Sequence, residues 1–220
     1  MRQLLDCLAT RFSRPRLWLL LAAITLAALV DTALTLAGTL QPLNSSLTTA
    51  TYELRQPWVD PLMLALTFLG WGPTLLLIAA VVAAWMMHEG DRFDALLLLG
   101  SAVVAQLAIP ALKLAIGQPR PSTVPRLPFL EPLYDYGYPS GHALGSIVVL
   151  GLSAILICDL VDRPRICPAV LAVSGVLIAG VGISRVYLGE HWVNDVVGGY
   201  LYGALILLVA YALHLCGRNH

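Results

Sequence analysis

Six apolar stretches, each near the length of a membrane-crossing helix, constrain this chain more than any other feature. A bilayer core needs roughly 20 mostly apolar residues per helix. The stretches run from about Leu17 to Leu36, Pro73 to Met87, Ala95 to Ile116, Gly141 to Cys158, Ala169 to Tyr187 and Trp192 to Leu215. The second is short, and Pro61 to Leu69 before it reads either as part of the same helix or as a separate surface helix. Composition agrees, with 58% hydrophobic and 12% charged residues, where a soluble domain carries roughly 25% charged. The same figures exclude disorder. A net charge of zero without a basic stripe argues against a nucleic-acid binder. The expected fold is all-α: one polytopic membrane bundle of six transmembrane helices over residues 1–220.

The first stretch has the basic start and apolar middle of a signal peptide, but its run past Asp31 to Leu36 is long for one, which favours a retained span. With the N-terminus inside, eight basic residues lie on the cytoplasmic side: Arg2, Arg11, Arg14, Arg16, Arg92, Arg163, Arg165 and Arg218. Five lie opposite: Arg55, Lys113, Arg120, Arg126 and Arg185. The bias follows the positive-inside rule, and three of the five outer cations have another use. Two long segments fall outside, 39–72 and 117–139, the first broken into short pieces by Pro42, Pro57 and Pro61. Asn44-Ser45-Ser46 fits a glycosylation sequon, a match too short to carry weight. Cys7, Cys158, Cys167 and Cys216 show neither metal nor disulfide spacing and read as reduced, structural cysteines on the cytoplasmic side.

Charged residues beside membrane helices are costly, so those that persist are functional candidates. They form three clusters at outer helix ends. In KLAIGQPRP, Lys113 (the single lysine of the chain) and Arg120 stand about two turns apart, and Pro119 and Pro121 end the helix. The pair is either an anion site, a point charge beside a bidentate fork, or two cations snorkelling to headgroups. In YPSGHALG a Pro-Ser-Gly turn opens a helix whose free N–H groups favour an anion. Gly141 permits close backbone approach, Ser140 either caps the helix or offers its hydroxyl, and His142 can supply a proton. In SRVYLGEHWVND, His191 and Asp195 are four residues apart and share a helical face. An Asp on one ring nitrogen leaves the other free to attack or to accept a proton; a plain interfacial His–Asp pair is the alternative. Arg185 adds a third cation. No G-x-S-x-G elbow, Walker A loop or H-E-x-x-H motif occurs. Lys113, Arg120 and Arg185 would repel a divalent cation, which argues against a metal among the His and Asp.

The three clusters resemble the signature of the type 2 phosphatidic acid phosphatase family, KxxxxxxRP, PSGH and SRxxxxxHxxxD. Lys113, Arg120 and Pro121 match the first, Pro139, Ser140, Gly141 and His142 the second, and Ser184, Arg185, His191 and Asp195 the third. The apolar stretches are similar to the six-helix membrane branch of that family. The resemblance implies that His191 is the nucleophile and forms a phosphohistidine, that Asp195 orients it, and that His142 protonates the leaving oxygen and then activates water. It implies that Lys113, Arg120, Ser140, Gly141 and Arg185 hold the phosphoryl oxygens. The cations then take the role of Mg²⁺, so neither a metal nor another cofactor is implied.

The implied activity is metal-independent hydrolysis of a lipid phosphomonoester or diphosphate: undecaprenyl diphosphate, phosphatidylglycerol phosphate or phosphatidate. An outward-facing site suits carrier recycling and favours the polyprenyl diphosphate. A phosphotransferase passing the group to a lipid or sugar acceptor is the rival within enzymes. A channel or transporter would spread its charges through the membrane depth, whereas these gather at one side. The expected partners are membrane lipids and the substrate; no nucleic acid and no obligate protein partner are implied. The expected location is a bacterial inner membrane, with the site facing the periplasm or exterior. Among weaker features, Asp31 is expected to face the bundle, and Gln106 to bond a carbonyl freed by Pro110. Trp58, Trp71 and Trp192 read as belt residues at the outer interface. Glu131, Tyr134, Asp135 and Tyr136 read as loop, and Glu190 is a candidate to hold Arg185.

Overall fold

The computed structural model describes residues 15–121, 136–161 and 163–217. Arg2, Cys7, Arg11, Arg14, Arg126, Glu131, Tyr134, Asp135 and Arg218 lie outside the described residues. The elements are helices: α1 Pro15–Leu36, α2 Gln41–Glu53, α3 Asp60–Leu69, α4 Gly72–His88, α5 Arg92–Ile116, α6 Gly141–Val161, α7 Cys167–Tyr187 and α8 Val193–Gly217. Five of them (α1, α5, α6, α7 and α8) are long and apolar enough to cross a membrane. A sixth span arises when α3 and α4, bent by 58° at the Gly70–Trp71 break, count as one.

The segment after α1 is itself structured. Pro42 and Pro61 lie in the first turn of α2 and α3 respectively, where a missing N–H costs nothing. Asn44 of the sequon is buried; its amide donates to Asn194 Oδ1, and Asn194 Nδ2 donates to Thr35 Oγ1 at 2.6 Å. This buried chain of polar groups ties α1 and α2 to the start of α8.

Helix α6 is the most enclosed span and contains a π-helical turn at Ile147–Gly151. Against it lie α4, with Leu75, Ala79, Ala83 and Met86 on one buried stripe, and α5, with Ala95, Leu98, Ala102 and Ala105 on another. The spacing of three and four places each set on one face. Lipid tails are as apolar as leucine, so the alanines contribute by letting backbones approach closely. Glycines do the same on α8. A Cβ at Gly199 would stand 2.6 Å from the Ser140 carbonyl, and one at Gly203 2.8 Å from the Leu144 carbonyl. Helix α3 packs on α7, and α1 packs on α8.

Two sequence expectations change here. Trp192 is buried rather than a belt residue, and its Nε1 donates to Pro119 O at 3.3 Å; Trp58 and Trp71 are exposed as expected. Gln106 makes no hydrogen bond to a carbonyl among the described residues; its amide lies against Gly72 at the broken joint. Charges also occupy the opposite end of the bundle. His214 on α8 is buried, with Nδ1 2.8 Å from Asp94 of α5 and Nε2 on Asp159 of α6. Cys158 and Cys167 are free thiols, and each donates to the other's backbone carbonyl.

Candidate active site

Two left-handed glycines aim the motif residues. Helix α5 ends at Gly117, φ 68°, whose N–H returns to Lys113 O at 2.9 Å. That turn carries Pro119 and Arg120 back across the end of the helix. Helix α7 ends at the Gly189 turn, φ 74°, where Glu190 and His191 both donate their N–H to Arg185 O at 3.0 and 3.2 Å. Positive φ is open to glycine at little steric cost, so both turns are written locally in the sequence.

Backbone bonds then stitch the three segments together. Ser140 N donates to Asp195 O at 2.8 Å, which seats the start of α6 on the start of α8. Gly137 N donates to Gln118 O at 2.7 Å, and Trp192 reaches Pro119. Tyr138 is buried and donates to Asp31 at 2.9 Å, so Asp31 faces the bundle and anchors the turn before α6. Burial raises the Tyr138 phenol well above its ordinary pKa, which keeps it a neutral donor.

All eight residues singled out from the sequence meet around one place. His191 Nδ1 lies 3.1 Å from Asp195 Oδ2, which also accepts the Trp192 N–H at 3.0 Å. The carboxylate takes the Nδ1–H, so the free lone pair sits on Nε2. Burial holds the His191 imidazole well below its usual pKa, and Arg120, Lys113, Arg185 and His142 add to the shift. The ring is therefore neutral and competent to attack an electrophile. Lys113 Nζ is buried and donates to the carbonyls of Tyr136 and Gly137. Arg185 Nη1 donates to Thr67 Oγ1 at 2.7 Å. Ser140 occupies the cap position of α6 without a side-chain cap bond, and its buried Oγ has no hydrogen-bond partner among the described residues. Of the two uses open to Ser140, the geometry leaves the hydroxyl available to a ligand.

A cavity of about 460 Å³ opens onto this cluster. Its polar wall is Lys113, Arg120, His142 and His191, with Gly141 beside them. Its other wall is the α3–α4 joint, Gly70 to Pro73, with Gln106, Ile109 and Pro110 of α5. The cavity thus runs from a cationic end, where two histidines face inward, to a mixed apolar end.

Thr67 escaped the sequence reading, whereas Glu190 was expected to hold Arg185 and does so. Thr67 bonds both Arg185 and Ser184, the latter at 3.2 Å. Glu190 meets two arginines: Arg120 Nη1 lies 3.1 Å and Arg185 Nη2 3.5 Å from its Oε2. Gln106 and the joint residues line the cavity. The run Gly-Trp-Gly-Pro was a readable signal for a broken helix, but no local pattern pairs α3 with α7.

Among the described residues, no three His, Cys, Asp or Glu side chains converge as a metal-binding set. What converges is three cations, a neutral imidazole oriented by a carboxylate, and a second imidazole across a cavity. Such equipment suits phosphoryl transfer at a membrane. Residues 94–216 match the PAP2 superfamily, and the chain belongs to it. The chain is 31% identical to phosphatidylglycerophosphatase B of Bacillus subtilis (strain 168) over 192 residues, 87% of this chain and 90% of the relative. It is 31% identical to an undecaprenyl-diphosphatase of Sulfolobus acidocaldarius over 145 residues, 62% of this chain and 63% of the relative. The crystal structure of the transmembrane PAP2-type phosphatidylglycerolphosphate phosphatase from Bacillus subtilis superposes with a TM-score of 0.82 at 28% identity, covering 89% of this chain and 96% of that one. The chain is accordingly an integral membrane phosphatase, all-α, of the PAP2 superfamily.

Proposed function

We propose that this enzyme hydrolyses a lipid phosphate at the outer leaflet of a bacterial inner membrane through a phosphohistidine on His191, with residues 1–220 acting as one unit. The observation that carries the reading is His191 itself. Its Nδ1 is held by Asp195, and the residue lines the same cavity as His142, Lys113 and Arg120. In the first step the Nε2 lone pair attacks phosphorus and the bond from phosphorus to the lipid oxygen breaks. Protonated His142 gives its proton to that oxygen, so the lipid alcohol or lower phosphate leaves neutralised. Asp195 then faces an imidazolium-like ring and stabilises it. In the second step neutral His142 takes a proton from water, whose oxygen attacks phosphorus. The P–N bond breaks, its electrons return to Nε2, and inorganic phosphate departs.

Lys113, Arg120 and Arg185 bind the phosphoryl oxygens, with the Ser140 hydroxyl and the Gly141 N–H. Uncatalysed phosphate-monoester hydrolysis is slow enough that enzymes accelerate it by up to ~10²¹-fold, and fixed positive charge on the transferring group supplies much of this. The mixed apolar wall at the α3–α4 joint supports lateral access for a lipid whose tail stays in the bilayer. Phosphatidylglycerol phosphate is the first substrate to test, because the Bacillus relative matches along most of both chains. Undecaprenyl diphosphate is the second, after the Sulfolobus relative.

The test is phosphate release by purified protein in detergent with a chelator present, on both lipids and on phosphatidate, beside His191→Ala. Chelator-resistant release that disappears in the variant is the expected result. Equal release by the variant overturns the nucleophile assignment. Recovery of the phosphate on an added lipid or sugar alcohol, at the expense of free phosphate, replaces hydrolase by phosphotransferase.

A further inference from the structure

The anion site already contains an anion. Glu190 is almost fully buried, and its Oε2 lies 3.1 Å from Arg120 and 3.5 Å from Arg185, two of the three cations assigned to the phosphoryl group. Its backbone carbonyl accepts a second bond from Arg120 Nη1 at 2.9 Å. The carboxylate sits on the turn that delivers His191, the next residue, so its position is fixed by the same Gly189 geometry that fixes the nucleophile. None of the three signature patterns specifies an acid at this place.

We propose that Glu190 is a built-in phosphate surrogate, a positioning residue that holds Arg120 and Arg185 while the site is empty and competes with the free phosphate product. This rests on the phosphatase reading above. Two buried guanidiniums without a counter-charge repel each other and are costly to desolvate. A carboxylate shared between them keeps both forks in place between turnovers. The same carboxylate opposes a tightly held dianion. A lipid phosphate brings the additional binding of its tail and displaces the carboxylate from one or both forks; inorganic phosphate has no tail, and Glu190 closes back as it leaves. A carboxylate-closed site, open in only about a tenth of the molecules, raises an apparent Kd about tenfold. Glu190 therefore selects for lipid-borne phosphate against free phosphate and limits product inhibition.

The experiment uses the full chain in detergent. Inorganic phosphate and orthovanadate are titrated calorimetrically into wild type, Glu190→Gln and Glu190→Asp, and kcat and KM are measured on the best lipid phosphate. Glu190→Gln is expected to bind both probes about tenfold tighter, with stronger product inhibition and with kcat and KM falling together. Glu190→Asp, whose shorter carboxylate draws back from the forks, is expected to lie between. Unchanged or weaker probe binding in Glu190→Gln overturns the proposal, since a merely structural residue loses binding when removed. If Glu190→Gln does not fold, Glu190→Asp decides by the same criterion. Probe binding is read without turnover, so an enzyme inactive on every lipid but tightened by Glu190→Gln refutes the phosphatase reading and keeps this one. No probe binding in any of the three proteins overturns it.

Discussion

Replacing Asp195 by Asn removes one charge and little else. The backbone carbonyl of Asp195 still accepts the Ser140 N–H, so the seat of α6 on α8 is untouched. The side chain keeps its size and can still accept from His191 or Trp192. What is lost is the negative charge 3.1 Å from Nδ1, at the moment when, in the proposed mechanism, the ring becomes phosphorylated and cationic. At an effective dielectric constant of about 20, two unit charges at that separation attract by about 5 kcal/mol. A neutral hydrogen bond in the variant retains about 1 kcal/mol. The net loss of about 4 kcal/mol in the transition state corresponds to a fall of about 10³-fold in kcat. Phosphate release under saturating lipid measures it, with substrate binding followed separately to show that KM moves less than kcat. Activity within tenfold of wild type, in a folded variant, refutes the claim that Asp195 stabilises charge on His191.

His142→Gln is expected to lose about 10² to 10⁴ in kcat on a lipid alcohol, and far less on an aryl phosphate whose leaving group needs no proton; comparing the two substrates checks it, and equal losses remove His142 from acid catalysis. His191 is neutral when folded and takes a proton near pH 6.5 when unfolded, so the unfolded state gains protons as pH falls. Its contribution to stability is therefore lost below about pH 6.5, by about 1.4 kcal/mol per pH unit. Chemical denaturation of wild type and His191→Gln at pH 7.5 and 5.5 reads this, and parallel slopes count against it. Gly199→Ala places a methyl group 2.6 Å from the Ser140 carbonyl, so it is expected to destabilise by about 1–3 kcal/mol and to lower kcat by displacing the start of α6. A melting curve beside an activity assay tests both, and wild-type values in both disprove the close packing.

The candidate site was legible in the sequence because each part is local. Lys113 and Arg120, Ser140 to His142, and Arg185 to Asp195 each sit within a dozen residues, and the glycines and prolines that aim them are neighbours. Partnerships between distant segments were not legible. Thr67 meets Arg185 because α3 lies on α7, and Asp31 meets Tyr138 across more than a hundred residues. Trp192 misled because an aromatic residue at a helix end looks the same in sequence whether it faces headgroups or a neighbouring loop. His214, Asp94 and Asp159 stand far apart in the chain, so their meeting at the other end of the bundle left no local sign. Glu190 was visible as a charge beside His191, but its second arginine was not.

The break between α3 and α4 stands beside the candidate site. Its joint walls the cavity, and a Cβ on Gly70 would stand 3.3 Å from His142, so the wall and that imidazole are in near contact. Gln106 lies seven residues before Lys113 on α5, about 10 Å further along the helix from the cationic end. On the lateral route proposed above, a substrate would be gauged by how far its phosphorus stands above its anchored tail. On the proposed lateral route the joint would act as a depth ruler: lengthening the tail beyond secure anchoring is expected to leave kcat/KM unchanged, while moving the phosphorus by a few ångströms along the lipid axis is expected to abolish turnover, and kinetics on a series of synthetic lipid phosphates checks both.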